Sequence, residues 1–178
     1  MKIIVTGSLG HISKPLTQEL VEKGHEVTVI SSNADRQKEI EAMGAKAAIG
    51  TMQDVDFLTR AFTGADLVYA METLGHNSFF NHELDIVTAL TDIGNNYRQA
   101  IERSGVKKVV HLSSIGAHTN EGNGMLAFHY NVEQILHQLP ADVSMVCMRP
   151  VGFYYNLLGF IPTIKAQGAI ITNYGDLR

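Results

Sequence analysis

Short runs rich in valine and isoleucine alternate along this chain with longer amphipathic stretches, and this alternation limits the possible folds more than any other feature. Repeated strand–helix units of this kind form a parallel sheet with helices on its faces. Most of the short runs are continuously apolar, as expected for strands buried on both faces. Six strands are predicted, at residues 2–6, 26–30, 46–49, 67–71, 108–112 and 144–148.

Five helices are predicted between these strands, at residues 14–23, 35–43, 54–62, about 81–104 and about 126–139. The chain has 178 residues, of which 45% are hydrophobic and 18% charged, and this suits one globular domain with a sizeable core. No repeat, low-complexity tract or linker interrupts it. We therefore predict an α/β fold, a Rossmann-type doubly wound parallel sheet, in one domain that spans residues 1–178.

A glycine-rich turn follows the first predicted strand and opens the first helix, which is the context of a dinucleotide site. Gly7 permits the tight turn, and Gly10 lets the backbone approach a pyrophosphate, whose charge the free N–H groups and the positive helix end neutralise. Ser13 takes the third small position of the motif. A plain turn without a ligand and a solvent-facing His11 are the alternatives. The cofactor contacts predicted here are Gly7, Leu9, Gly10, His11 and Ile12.

The end of the second strand determines which nicotinamide cofactor fits. An Asp or Glu there would accept hydrogen bonds from the ribose 2′-hydroxyl of NAD. This chain instead has Ser31, Ser32 and Asn33, with Arg36 nearby. Hydroxyl and amide donors and a guanidinium suit a 2′-phosphate, so we predict that NADP(H) is favoured over NAD(H). The alternative is that residues 31–33 only cap the following helix.

Several short motifs recur in a fixed order along essentially the whole chain. They are Gly7-x-x-Gly10, Gly50-Thr51 to Asp54, Gly64-Ala65-Asp66, residues 109–114, His129-x-x-x-Glu133, and Arg149-Pro150 with Phe153 and Asn156. In this order and spacing the sequence resembles the atypical short-chain dehydrogenase/reductases of the NmrA-like group. That group includes redox-sensing regulators and NAD(P)H-dependent quinone or azo-dye reductases.

The resemblance implies cofactor contacts beyond the glycine-rich turn. They are Thr51 and Met52 near the adenine, Ala70, Met71 and Glu72 along the ribose side, and Ser113, Pro150 and Phe153 near the nicotinamide. Two positions depart from the family. Thr51 replaces the usual Asp, which removes a carboxylate acceptor for the adenine amine. The lysine that many of these reductases have near Asn131 is missing.

Residues 151–164 are rich in large apolar side chains, and such a segment needs a surface to pack against. Members of the family that this sequence resembles commonly continue with a C-terminal portion that closes the substrate pocket. We therefore expect that this chain lacks a C-terminal substrate-binding portion, or that a partner covers the segment. The expected partner is either a second copy of the chain or a regulatory protein.

The Tyr-x-x-x-Lys motif of the wider superfamily, in which the lysine lowers the tyrosine pKa, is missing because none of the six tyrosines has a lysine four residues later. His129 and Glu133 lie one helical turn apart. His129 is the candidate catalytic proton donor, and a helix-stabilising polar pair is the alternative. Ser113, at a strand end, is a candidate to bind a substrate carbonyl or the ribose, with a turn-forming role as the alternative.

Three functions are compatible with these features. The first is a reductase that passes hydride from NADPH to a small flat acceptor such as a quinone, which needs little acid catalysis. The second is a redox sensor that binds NAD(P) without turnover and regulates a partner. The third, a nucleotide-sugar epimerase, requires the missing Tyr-x-x-x-Lys and has the least support. A fold alone does not decide among them.

Charge and composition exclude several other classes. The net charge of −4, the pI near 6.0 and the lack of Lys/Arg runs argue against direct contact with nucleic acid or an anionic membrane. No signal-peptide layout and no run of about 18 apolar residues is present, so we expect a cytoplasmic protein. The eight histidines lack ligand spacing with cysteines or carboxylates, and no metal is expected.

Cys147 is the only cysteine, so no internal disulfide can form. Its neighbours Met145, Val146 and Met148 predict a buried strand. No basic residue or helix end is visible beside it. We therefore expect a structural thiol that packs as a small apolar group.

Overall fold

A computed structural model describes residues 1–75, 78, 81 and 83–171, and within them strands and helices alternate as the sequence predicts. The strands are β1 (Lys2–Val5), β2 (Glu26–Ser31), β3 (Lys46–Ile49), β4 (Leu67–Ala70), β5 (Lys108–Leu112) and β6 (Ser144–Met148). The helices are α1 (Ser13–Glu22), α2 (Gln37–Ala42), α3 (Val55–Phe62), α4 (Ile86–Ser104), α5 (Ala127–Leu136) and α6 (Ile161–Gln167). Short 3₁₀ helices span Ala34–Arg36, Gly124–Leu126 and Tyr154–Phe160.

The six strands form one parallel sheet in the order β3-β2-β1-β4-β5-β6. This order confirms the predicted Rossmann-type doubly wound fold. β1 lies between β2 and β4, so the chain leaves β1 towards one face of the sheet and leaves β4 towards the other. A crevice therefore forms at the carboxyl ends of these strands, where ligands of such folds bind.

Each face of the sheet has its own apolar core. On one face α1 and α2 cover side chains that include Val5, Val29 and Ile40, all fully buried. On the other face α3, α4 and α5 cover Val68 and its neighbours. Gly94 of α4 lets α5 come close, because a Cβ there would lie 2.7 Å from Val132 Cγ2.

Two features differ from the sequence expectations. α4 begins at Ile86 rather than near residue 81, because the Asp85 carboxylate accepts a hydrogen bond from the Thr88 backbone N–H and caps the helix there. The prediction that β6 is buried is wrong for Val146 and Met148, which are 52% and 53% exposed. β6 is an edge strand of the sheet, and among the described residues no helix makes extensive contact with it.

The apolar segment after β6 is helical, and many of its large side chains are exposed, Tyr154 at 89%. The expectation that a C-terminal portion or a partner covers them stays a prediction. Over the ranges that the structure describes, no helix has the length and apolar character needed to cross a membrane.

Candidate functional site

A cavity of about 710 Å³ opens at the carboxyl ends of the central strands. This volume lies within the range of about 300–1,000 Å³ that is common for small-molecule sites. Its walls are the β1–α1 turn, the end of β2 with the following 3₁₀ helix, and the segments after β3 and β4. Eight predicted cofactor residues line it: Gly7, Gly10, Ser31, Ser32, Asn33, Arg36, Thr51 and Met52.

The turn after β1 carries free backbone donors. Gly7 has φ of 84° and Ser8 has φ of 54°, and the Ser8 and Gly10 amides donate to Ile30 and Gly7 carbonyls. Among the hydrogen bonds of the described chain, none starts from the amides of Leu9, His11 or Ile12. Leu9, His11 and Ile12 lie within the four residues before Ser13, the first residue of α1, so unbonded N–H groups and the positive helix end are close together. This arrangement fits a pyrophosphate.

Close packing behind the turn explains why the motif has glycine at Gly7 and a small polar residue at Ser13. A Cβ on Gly7 would lie 2.3 Å from Met71 Sδ and 2.6 Å from Ser13 Oγ. The Ser13 hydroxyl donates to the Thr6 carbonyl at 2.8 Å and holds the start of α1 against the end of β1. On Gly10 a Cβ would approach only the Gly7 carbonyl oxygen, at 3.1 Å, so this side of the turn is open to a ligand.

The end of β2 combines a helix cap with a cationic side chain. The Asn33 side chain accepts from the Asp35 N–H, so the capping alternative is observed for this residue. The Ser31 hydroxyl is occupied, since it accepts from Ser8 Oγ and donates to the Asn33 carbonyl. Arg36 Nη1 donates to Ser8 Oγ at 3.1 Å, which places its guanidinium at the cavity wall beside the turn.

Ser8 is the residue that sequence reasoning missed here. It is the first variable position of the Gly-x-x-Gly motif, and its hydroxyl links Arg36 to Ser31. The other missed lining residues lie at the end of β2, follow β3 and β4, or lie on and just before α4. They are Ile30, Gly50, Gln53, Thr73, Leu74, Gly75, Ser78, Leu84, Ala89 and Ile93.

The remaining predicted contacts do not line the cavity. The side chains of Leu9, Ile12 and Met71 pack into the core on the α1 and α2 face of the sheet. Ala70 is fully buried in the core on the opposite face. Glu72, whose side chain is fully buried, faces the interior of the protein and lies with Oε2 3.0 Å from His111 Nε2.

An aromatic row connects the turn with the C-terminal segment. The His11 ring stacks on Tyr155 with centroids 4.4 Å apart, and Tyr155 stacks on Phe153 at 5.6 Å. Pro150, just before, accepts a hydrogen bond from the Ile115 N–H. His11 is exposed, as the solvent-facing alternative expects, and its ring packs on Tyr155 rather than lining the cavity.

Ser113 belongs to a buried polar network. Its hydroxyl donates to Glu133 Oε1 at 2.5 Å, and Arg149 donates from Nε and Nη2 to the two oxygens of the same carboxylate. Burial alone raises the pKa of Glu133, but the hydrogen bonds from Arg149 and Ser113 outweigh it and hold the pKa below its ordinary value. The Ser113 proton is therefore not available to a substrate carbonyl.

His129 is a poor proton donor in this environment. Burial lowers its pKa from 6.5 to about 4, so the imidazole is neutral at neutral pH. Its buried Nδ1 has no hydrogen-bond partner among the described atoms. The predicted polar pair with Glu133 is not formed, because that carboxylate binds Ser113 and Arg149. A proton donor at neutral pH needs a protonated imidazole, and burial of His129 disfavours that form.

Within the part of the chain that the structure describes, no three histidine, cysteine or acidic side chains are grouped to hold a metal ion. None of the described residues that line the cavity is a histidine, a cysteine or an acidic residue.

Comparison with known proteins identifies the family. The family model for NAD(P)H-binding proteins matches residues 7–145. The chain belongs to the NAD(P)H-binding family. The match includes the glycine-rich turn. It confirms the resemblance to the atypical short-chain dehydrogenase/reductases, which are a nicotinamide-cofactor family. The narrower NmrA-like group stays a prediction.

Relatives of this NAD(P)H-binding chain extend well beyond it. An uncharacterized protein of Schizosaccharomyces pombe is 33% identical over 173 residues, which cover 94% of this chain and 56% of that protein. Triphenylmethane reductase of Citrobacter sp., solved with NADP(H), has a TM-score of 0.79 at 18% identity, covering 98% of this chain and 58% of that one. An NADPH-dependent quinone oxidoreductase of Escherichia coli has a TM-score of 0.75 at 19% identity, covering 93% and 54%.

The chain thus spans about half the length of these proteins. At 18% and 19% identity, the two solved structures show that the fold is shared and nothing about activity.

Proposed function

We propose that this chain binds NADP(H) in the cavity and that its function is hydride transfer to a small, quinone-like acceptor. The observation that supports this best is the combination at the β1–α1 turn. Three free amides precede α1, and the Arg36 guanidinium lies beside them, held by Ser8. The amides suit the pyrophosphate, and the guanidinium suits the 2′-phosphate that distinguishes NADP from NAD.

The preference for NADP(H) rests on Arg36 and Ser32. Ser31 contributes only indirectly because its hydroxyl is occupied, and Asn33 Oδ1 caps the 3₁₀ helix. Glu72 is turned inside, and no Asp or Glu lines the cavity among the described residues. A 2′-phosphate would therefore meet a cation and would face no carboxylate.

A quinone-like hydride acceptor is proposed because the candidate proton donors among the described residues are occupied or neutral. A bound dihydronicotinamide supplies the hydride, and the chain supplies position and surroundings. At the ends of β4, β5 and β6 the Ser113 proton is held by Glu133, and His129 is neutral. A quinone is already electrophilic and needs little help from a protein acid, so such an acceptor suits these residues better than a simple ketone does.

The test of cofactor choice is calorimetric titration of Arg36→Ala, with Lys38→Ala as matched control. Lys38 is an exposed cation on α2 that does not line the cavity. Arg36→Ala should weaken NADPH binding about tenfold or more, about 1.4 kcal/mol, and leave NADH binding within twofold. Equal losses for both cofactors, or the same NADPH loss in Lys38→Ala, would contradict a 2′-phosphate site at Arg36.

The test of chemistry is steady-state NADPH oxidation over a panel of quinones. Turnover with at least one quinone is expected. Redox sensing without turnover is the second candidate, and the lack of a free acid among the described residues at the strand ends favours it too. Tight NADPH binding with no oxidation by any quinone would reject the reductase and support the sensor.

A further inference from the structure

Cys147 lies in a cluster of three ionisable side chains outside the cavity. It is the cross-strand neighbour of His111, and its Sγ lies 4.0 Å from His111 Nδ1. The other ring nitrogen, Nε2, lies 3.0 Å from Glu72 Oε2. The side chains of His111 and Glu72 have no exposed surface, whereas Cys147 is only partly buried. A partly buried cysteine thus faces a buried histidine that a carboxylate orients.

This order of groups, thiol then imidazole then carboxylate, is the arrangement that activates cysteine nucleophiles in proteins. Burial alone lowers the pKa of His111, but Glu72 and Cys147 outweigh it and raise the pKa to about 10. The ring is therefore an imidazolium at neutral pH. Its Nδ1 lies 4.0 Å from the sulfur, and a cation this close to a cysteine favours the thiolate, which is the reactive form of the residue.

The other charged groups near the cluster do not cancel this effect. From α5, His129 is neutral at neutral pH, and Glu133 is paired with Arg149, which follows β6. From α4, Tyr97 donates its hydroxyl proton to the Met71 carbonyl. The Glu72–His111 pair is thus the polar unit that faces the sulfur.

We propose that Cys147 is an activated nucleophilic thiol, positioned by His111 and Glu72, that adds to alkenes conjugated to a carbonyl group. The sulfur forms a bond to the β-carbon of the alkene. The alkene π pair moves to the carbonyl oxygen, and the resulting enolate takes up one proton, which replaces the proton that the thiol released to solvent. The product is a thioether, and the step needs no oxidant, reductant or cofactor.

This role replaces the sequence expectation of a structural thiol. The basic neighbour that seemed to be missing is His111, which lies 36 residues away in sequence and reaches the sulfur only through the β5–β6 pairing. The proposal does not depend on the function of the cavity, because all three residues lie outside it.

The experiment measures the rate of acrylamide addition to the protein by intact mass, from pH 5 to 10. Cys147 is the only cysteine, so every thioether reports this site. The same chain unfolded in urea supplies the reference rate for an ordinary thiol. At pH 7 the native thiol should react about tenfold faster than the unfolded one, and its rate should reach half its maximum at a pH at least one unit lower.

The pH of half-maximal rate separates activation from access, because partial burial scales the rate at every pH alike. A slow native reaction with the half-maximum shifted to lower pH supports the proposal. A native profile that coincides with the unfolded profile would overturn it, whatever the absolute rate.

Two variants test the role of the carboxylate. Glu72→Gln should move the pH of half-maximal addition rate in the native protein back towards the value for the unfolded chain. Asp142 precedes β6, and its exposed carboxylate pairs with Lys107, so Asp142→Asn should leave that pH unchanged. A Glu72→Gln protein that keeps its circular dichroism and the wild-type profile would refute the positioning by Glu72. If this variant does not fold, the comparison of native and unfolded wild-type chains still decides the proposal.

Discussion

Replacing Gly7 by alanine tests whether the turn geometry itself is required. The residue has φ of 84°, and an added Cβ would lie 2.3 Å from Met71 Sδ and 2.6 Å from Ser13 Oγ. A left-handed conformation costs a side-chain-bearing residue about 1–2 kcal/mol, and overpacking costs about 1–3 kcal/mol more. Relief of the clash moves Ser13, whose hydroxyl bond to Thr6 holds α1 to β1. Gly7→Ala should therefore lower the free energy of unfolding by about 2–5 kcal/mol.

Two further alanine variants separate the contributions. Gly24 has φ of 78° with nothing within 4 Å of its added Cβ, so Gly24→Ala should cost only the backbone term of about 1–2 kcal/mol. Gly10 has no positive φ and meets only the Gly7 carbonyl oxygen at 3.1 Å, so Gly10→Ala should cost less than about 1 kcal/mol. Urea denaturation measures all three. A loss for Gly7→Ala no greater than for Gly24→Ala would refute the packing argument.

Three more perturbations have defined outcomes. Arg149→Met leaves the fully buried Glu133 carboxylate without its cation and should cost about 3 kcal/mol in urea denaturation at pH 7; an unchanged midpoint would contradict the ion pair. His129 titrates near 6.5 when unfolded and about 4 when folded, so the unfolded chain binds the extra proton and stability should fall from pH 6.5 to 4. Denaturation at both pH values should show a smaller fall in His129→Gln, and an identical fall would exclude His129 as its source. Tyr130→Phe should change NADPH–quinone turnover less than threefold, whereas a hundredfold loss, about 2.7 kcal/mol of barrier, would establish tyrosine acid catalysis.

The sheet and the glycine-rich turn could be predicted from sequence because their signals are local. Most strands are continuous apolar runs, and the turn requires glycine at Gly7 for its φ and its packing. Arg36 was predicted from its place after the second strand, and the structure places it at the cavity wall. Its link to Ser8 depends on the approach of two loops 28 residues apart, which no short spacing encodes.

The buried polar network could not be predicted because its contacts join different strands. The sequence identifies Ser113 and Glu133 as candidates, but it does not show that Glu133 accepts hydrogen bonds from the Ser113 hydroxyl and the Arg149 guanidinium. Glu72 was expected beside the ribose, and it instead turns inward to His111. Burial, which lowers the pKa of His129 to about 4, is likewise a property of packing that the one-turn spacing to Glu133 does not indicate.

Calorimetric titration of the wild-type chain with NADPH and with NADH tests the proposed site most directly. In the proposed site the amides of Leu9, His11 and Ile12 donate hydrogen bonds to the pyrophosphate of either cofactor, and Arg36 distinguishes the two. Both cofactors should therefore bind with one site per chain, and NADPH should bind more tightly. NADH binding that is tenfold tighter, about 1.4 kcal/mol, or no heat with either cofactor, would contradict an NADP(H) site at this turn.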